Sequence, residues 1–253
     1  MRKPYIGLWL ILTITLCVCA VLSRHGTISL GFTTLRTADF ASSLLAPARD
    51  TAHVAAKPAA VKHPLDTAAK CILFIGDSML EGLSPRMAAY AEKNGHTLTS
   101  VIWYSSTTEV WGSSDRLTQY MERFRPDYIL ICLGANELFV PKIKERRQQY
   151  VKRLLAQIGP TPYVWIGPPN WKPDTGINDL IASCVQPGCF FLSNGQHFDR
   201  KSDGAHPTAA SAADWADRVC AWIMNSSSHP IRLARPDSVT AHCRTLVLQS
   251  NQR

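Results

Sequence analysis

Cys71-Ile72-Leu73-Phe74-Ile75-Gly76-Asp77-Ser78 decides how this chain is read. Five apolar residues in succession, with no polar alternation, describe a strand buried on both faces. Gly76 ends the run and permits a tight turn. Asp77 and Ser78 then stand where strand hands over to helix. Met79–Asn94 puts Met79, Leu83, Met87 and Tyr90 on one helical side and stops at Asn94-Gly95. The alternation repeats downstream. Strand-like runs at Leu98–Tyr104, Tyr128–Leu133, Pro162–Ile166 and Cys189–Leu192 are interleaved with helical patterns at Ser113–Phe124, Lys142–Ile158, Asn178–Cys184 and Thr208–Met224. Five such strands between helices predict an α/β fold whose parallel sheet is covered on both faces. Right-handed crossovers make it doubly wound, and reactive groups then collect at the carboxyl ends of the strands.

Three of those ends carry chemistry. Ser78, at the start of a helix, has a hydroxyl placed where the helix dipole favours developing negative charge. Asp77 beside it is a candidate substrate contact, or a cap on the helix that follows. Gly134-Ala135-Asn136-Glu137 ends the third strand, and the Asn136 amide is suited to donate to an oxyanion or to close a turn. Asp203-Gly204-Ala205-His206 precedes the last helix. An Asp and a His three residues apart on one turn can hydrogen-bond directly, the carboxylate orienting the imidazole and stabilising its charged form. His197 with Asp199 is the competing pair.

In their order and spacing, Gly76-Asp77-Ser78, Gly134-x-Asn136-Glu137 and Asp203-x-x-His206 resemble the SGNH hydrolases, the GDSL esterase/lipase family, over about residues 71–225. The resemblance implies a flavodoxin-like three-layer α/β/α sandwich with a five-stranded parallel sheet, and ester hydrolysis through an acyl-enzyme with no metal or organic cofactor. It makes Ser78 the nucleophile, His206 the general base and then acid, and Asp203 the orienting carboxylate. Asn136 and the Ser78 N–H become oxyanion donors. The family's glycine after the second strand is missing. Trp103-Tyr-Ser-Ser-Thr-Thr-Glu-Val-Trp-Gly112 stands there, with Ser105 or Ser106 at the glycine's place and Gly112 too late. Ser106 is therefore the expected second backbone donor.

The 253 residues are 46% hydrophobic and 18% charged, enough apolar side chain for a core and unlike a disordered chain. The net charge of +8 invites a polyanion-binding reading. Residues 71–225, however, hold 15 basic and 15 acidic side chains, so the excess lies in the ends and a nucleic-acid-binding core is excluded. Arg2 and Lys3 precede the apolar stretch Ile6–Leu22, an export signal over residues 1–23 that is either removed or kept as a membrane anchor. The domain is then expected outside the cytoplasm, periplasmic or secreted. Residues 24–70, rich in Ala, Thr, Ser and Pro, read as a flexible stalk, and residues 226–253 as a tail draped over the domain. In an exported chain Cys184–Cys189 and Cys220–Cys243 are candidate disulfides, while Cys71 and Cys132 could equally be buried thiols. No cysteine or histidine spacing suits zinc.

Substrate is read from loops. Trp111 and Trp171 are candidates to stack on a sugar, or else loop-packing anchors. No long apolar lid is present. The expected substrate is a short acyl ester, such as acetyl, on an extracytoplasmic glycan or a small ester. The alternatives are transfer of the acyl group to a sugar hydroxyl, and a non-catalytic glycan-binding module. The basic residues between Lys142 and Arg153 read as the solvated face of a helix whose Ile143, Tyr150, Leu154 and Leu155 face the sheet.

Overall fold

The computed structural model describes residues 27–30, 33–36 and 63–249. The chain divides into two units, Met1–Ala56 and Lys57–Arg253. In the first, Thr27–Leu30 (β1) and Thr33–Arg36 (β2) pair antiparallel, Thr27 opposite Arg36 and Leu30 opposite Thr33. This hairpin falls in the stretch expected to be stalk; Thr and Ile at four of its positions suit extended backbone. The apolar run at 6–22 and most of the stalk lie outside the described residues. Among the described residues no helix is long and apolar enough to cross a membrane.

The second unit is built on one six-stranded parallel sheet. Its strands are Cys71–Gly76 (β3), Thr97–Trp103 (β4), Tyr128–Cys132 (β5), Tyr163–Ile166 (β6), Phe190–Phe191 (β7) and Arg244–Leu248 (β8). Their spatial order is β7-β6-β5-β3-β4-β8. The opening run explains itself here. Ile72 and Phe74 enter one apolar cluster with Leu83, Met87, Trp215 and Val219. Leu73 and Ile75 enter another with Ile129, Ile131, Val151 and Leu154. A strand's side chains alternate between faces, so a strand covered twice is apolar throughout. Leu80–Lys93 (α1) and Ala209–Ser226 (α6) cover the first face. Thr108–Gly112 (α2), Arg116–Phe124 (α3), Ile143–Ile158 (α4) and Ile177–Cys184 (α5) cover the second. The helix read at 113–124 is present from Arg116 to Phe124, and a separate short helix, Thr108–Gly112, precedes it.

The chain runs from β3 outward to β4, then returns to place β5 on the other side of β3, with Ile75 beside both Val101 and Ile131. The connections leave β3 and β5 in opposite directions, which opens a crevice above their carboxyl ends.

The sixth strand corrects the expected five and comes from the tail. Thr245 to Leu248 run parallel to Ser100–Trp103 of β4. The tail also crosses α1, where Ala241 N–H donates to Pro85 O at 3.0 Å. The buried Arg86 holds Asp217 at 2.7 Å and the Ser238 carbonyl at 2.5 Å there. The expected disulfides do not form, and the domain's six cysteines are free thiols. Cys220 turns into the core against Met87 Sδ at 3.5 Å, whereas Cys243 meets Ser100 Oγ at 3.3 Å. Cys189 is fully buried and Cys184 half-buried at the end of α5.

Candidate active site

At Gly76 a Cβ atom would lie 2.3 Å from the Cys132 carbonyl oxygen, so only glycine allows β3 to turn this close to β5. Asp77 N–H donates to that same carbonyl at 3.3 Å, and Glu81 N–H donates to Ser78 O at 3.2 Å as α1 begins. Ser78 is therefore held at the head of α1, at the carboxyl edge of the central strand.

His206 arrives from the far end of the sequence. Thr208 caps α6 by accepting Ser211 N–H at 3.3 Å, and Gly204 takes φ +67° in the turn before it. That turn closes on Asp203, whose Oδ1 accepts the N–H groups of Ala205 at 2.8 Å and His206 at 2.9 Å. Asp203 Oδ2 lies 2.7 Å from His206 Nδ1, and His206 Nε2 lies 2.7 Å from Ser78 Oγ. The His206 and Ala205 backbone N–H groups, with the imidazole, hold the Asp203 carboxyl far below its ordinary value. An ionised Asp203 accepts a hydrogen bond from Nδ1–H, which keeps the proton on Nδ1, so Nε2 faces Ser78 as an acceptor. The competing pair, His197 and Asp199, stands 3.3 Å apart with side chains 90% and 75% exposed, a solvated contact.

Asp77 does not reach the crevice. It is fully buried, and its Oδ1 accepts Met79 N–H at 3.0 Å, so it serves the turn into α1 rather than a substrate. Burial, with the negative Glu137 nearby, pushes its carboxyl up to about 7.

The Asn136 amide lies just beyond β5, in the 3₁₀ turn Ala135–Glu137 that follows Gly134 at φ +122°. One Nδ2 hydrogen goes to the Ser106 carbonyl at 2.9 Å, and a second remains for an acceptor in the crevice. Ser106 itself is not a donor there. Its N–H is taken by the Trp103 carbonyl at 3.1 Å, and its buried Oγ accepts Trp111 Nε1 at 3.0 Å. Ser105 next to it is exposed and carries φ +57°, the left-handed backbone that favours glycine. Among the described residues the N–H groups of Ser105 and Thr107 make no hydrogen bond.

Glu137, quoted in the motif but assigned no role from sequence, ties these loops together. Fully buried, it accepts Thr108 N–H at 2.8 Å, Thr108 Oγ1–H at 2.9 Å and Arg147 Nε–H at 2.7 Å. Burial raises its carboxyl above the ordinary value despite the Thr108 hydrogen bonds and Arg147. Arg147 also pairs with Glu109 at 2.8 Å, so one cation of the expected solvated face is structural. Lys142, Lys144, Arg146, Lys152 and Arg153 do face solvent.

The two tryptophans part company. Trp111 is fully buried, edge-on to Trp103 at 5.3 Å, and cannot stack on a sugar. Trp171 is half-buried, and its indole N–H donates to Ala135 O at 2.9 Å, next to Asn136. Lys172 Nζ lies 4.6 Å from the centroid of its ring, and Phe139, 55% exposed, meets it edge-on at 6.4 Å. Phe139 has no signature in the sequence, because one aromatic after a turn carries no periodic signal. Among the described residues no group of three or more His, Cys, Asp or Glu side chains is placed to hold a metal ion.

The sequence matches no protein-family model and no curated protein. Solved structures are similar to it. TesA superposes with a TM-score of 0.50 at 17% identity, over 60% of this chain and 97% of TesA. The psychrotrophic esterase EstA from Pseudoalteromonas sp. gives 0.44 at 19% identity, over 60% of this chain and 96% of its own. The salicylyl-acyltransferase SsfX3 of a tetracycline biosynthetic pathway gives 0.44 at 15% identity, over 62% and 55%. The likeness to TesA shows the fold. The chain is an α/β protein of that architecture, with a Ser–His–Asp relay at the carboxyl edge of its central strand.

Proposed function

We propose that this chain is a serine esterase that removes short acyl groups through an acyl-enzyme on Ser78. The observation that carries the reading is the unbroken relay from Asp203 to His206 to Ser78, both links 2.7 Å long. His206 accepts the Ser78 proton as Oγ attacks the ester carbonyl, then returns it to the departing alcohol. Water activated by the same imidazole releases the acid. The oxyanion is met by the free Asn136 hydrogen and the Ser78 N–H, with the Ser105 N–H as third donor in place of Ser106. The substrate class is an acetylated glycan or a small ester, with Trp171 and Phe139 rather than Trp111 available to border the leaving group. The N-terminal apolar run supports a place outside the cytoplasm, anchored to the membrane or released from it.

The test uses the full chain with p-nitrophenyl esters of graded acyl length, with and without an acetylatable oligosaccharide, and a fluorophosphonate probe for Ser78. Turnover that falls from acetate to octanoate supports the reading. Acyl transfer to the sugar in preference to water would make the protein a transferase. An unlabelled Ser78 and no turnover would leave a binding module. Asn136→Leu is expected to lower kcat on the acetate ester by about 10²–10³ with KM changed only a few-fold. An unchanged kcat would remove Asn136 from the oxyanion site.

A further inference from the structure

Arg200 lies between the two halves of the crevice. Its Nη1 donates to the Ala205 carbonyl at 2.5 Å. Its Nη2 donates to the carbonyls of Pro169 at 3.3 Å and Asn170 at 3.0 Å. The guanidinium carbon sits 5.4 Å from the centroid of the Phe198 ring, within the ~6 Å reach of a cation–π contact, and that ring is edge-on to the buried Trp215 at 5.5 Å. Arg200 makes no ion pair within 4.0 Å among the described residues. A partly desolvated cation is thus committed to three neutral carbonyls, and burial lowers its proton affinity.

What those carbonyls belong to gives the contact its meaning. The Ala205–His206 peptide is held from both sides: its N–H by Asp203 Oδ1 at 2.9 Å, its C=O by Arg200. The His206 carbonyl accepts Lys201 N–H at 2.8 Å, so the histidine backbone has no slack. Pro169 and Asn170 immediately precede Trp171, whose indole is fixed to Ala135 O beside Asn136. One guanidinium therefore spans from the peptide carrying the imidazole to the loop that abuts the oxyanion turn. A planar fork with five donors can do this; the point charge of a lysine cannot reach both loops at once.

We propose that Arg200 is a positioning residue that fixes His206 relative to the oxyanion side, an inference that rests on the esterase reading above. A displacement of about 1 Å between reacting groups costs on the order of 10² in rate. Arg200→Met is accordingly expected to lower kcat by about 10- to 100-fold, with KM changed far less. Arg200→Lys should recover only part of that loss, and guanidinium ion added to Arg200→Ala should restore rate. The experiment measures kcat and KM on p-nitrophenyl acetate with the full chain. Each rate is normalised to Ser78 labelled to completion by the fluorophosphonate, so misfolded protein is not counted. If Arg200→Met does not fold, Arg200→Lys decides alone. Wild-type kcat per labelled serine in Arg200→Met, or in Arg200→Lys, overturns the clamp. A wild-type chain that turns over no ester overturns the esterase reading instead.

Discussion

Ser78→Ala is expected to lower ester turnover by about 10⁶-fold, the largest effect available in this molecule. Removing Oγ takes away the atom that forms the covalent bond, and neither Ser106 nor Ser100 can stand in for it. Ser106 Oγ is buried under Trp111, and Ser100 Oγ is committed to Ser84 and Cys243. The Asn136 amide and the backbone donors survive the change, so a residual acceleration of about 10³–10⁴ over water is expected to remain. The fold should be indifferent, since Ser78 is only half-buried and its side chain bonds to His206 alone. The measurement is kcat/KM on the acetate ester with the melting temperature recorded beside it. Both esterase and acyltransferase chemistry lose activity here, because both pass through the same acyl-Ser78. Full activity in a well-folded Ser78→Ala would end any mechanism that uses this serine.

The relay could be anticipated because each of its parts is local. Gly76 must be small to pass Cys132, and Asp203 and His206 share one turn, so short motifs report their placement. The doubled core of β3 was legible for a similar reason, since a strand buried on two faces shows it in consecutive residues. What escaped depends on contacts made far along the chain. The direction of the Ser106 N–H follows from a turn that bends back on Trp103. Trp111 and Trp171 are alike as loop tryptophans, and only the packing of α2 against α4 decides that one is core. Thr245-Leu-Val-Leu248 has the composition of a strand, but its role required knowing that β4 had a free edge. Arg200 gave no signal at all, because an arginine bonded to main-chain carbonyls leaves no complementary residue type in the sequence.

Glu137→Ala is expected to destabilise the fold by about 3–5 kcal/mol, the range for breaking a buried ion pair from one side. The carboxylate is fully buried and satisfies three donors on two other segments, Thr108 N–H, Thr108 Oγ1–H and Arg147 Nε–H. Alanine leaves the N–H at the start of α2 unpaired and Arg147 with Glu109 as its one remaining carboxylate. Because Thr108 lies two residues beyond Ser106, whose carbonyl anchors Asn136, the loss also loosens the oxyanion side. Glu137→Gln separates charge from shape. The amide keeps an acceptor for Thr108 or Arg147, so its cost should be smaller. It also removes the negative charge that, after burial, helps raise Asp77. A carboxyl raised to about 7 contributes stability that is present at low pH and lost as pH rises through that value. The part of the pH 5 to 8 stability loss that Asp77→Asn abolishes should therefore shrink in a Glu137→Gln background. Urea unfolding of wild type, Glu137→Ala, Glu137→Gln, Asp77→Asn and the Asp77→Asn/Glu137→Gln double variant across that pH range reads both effects. A Glu137→Ala chain within about 0.5 kcal/mol of wild type, the ordinary scatter of a surface substitution, would mean that Thr108 and Arg147 find other partners and that the loop is held by Asn136 alone.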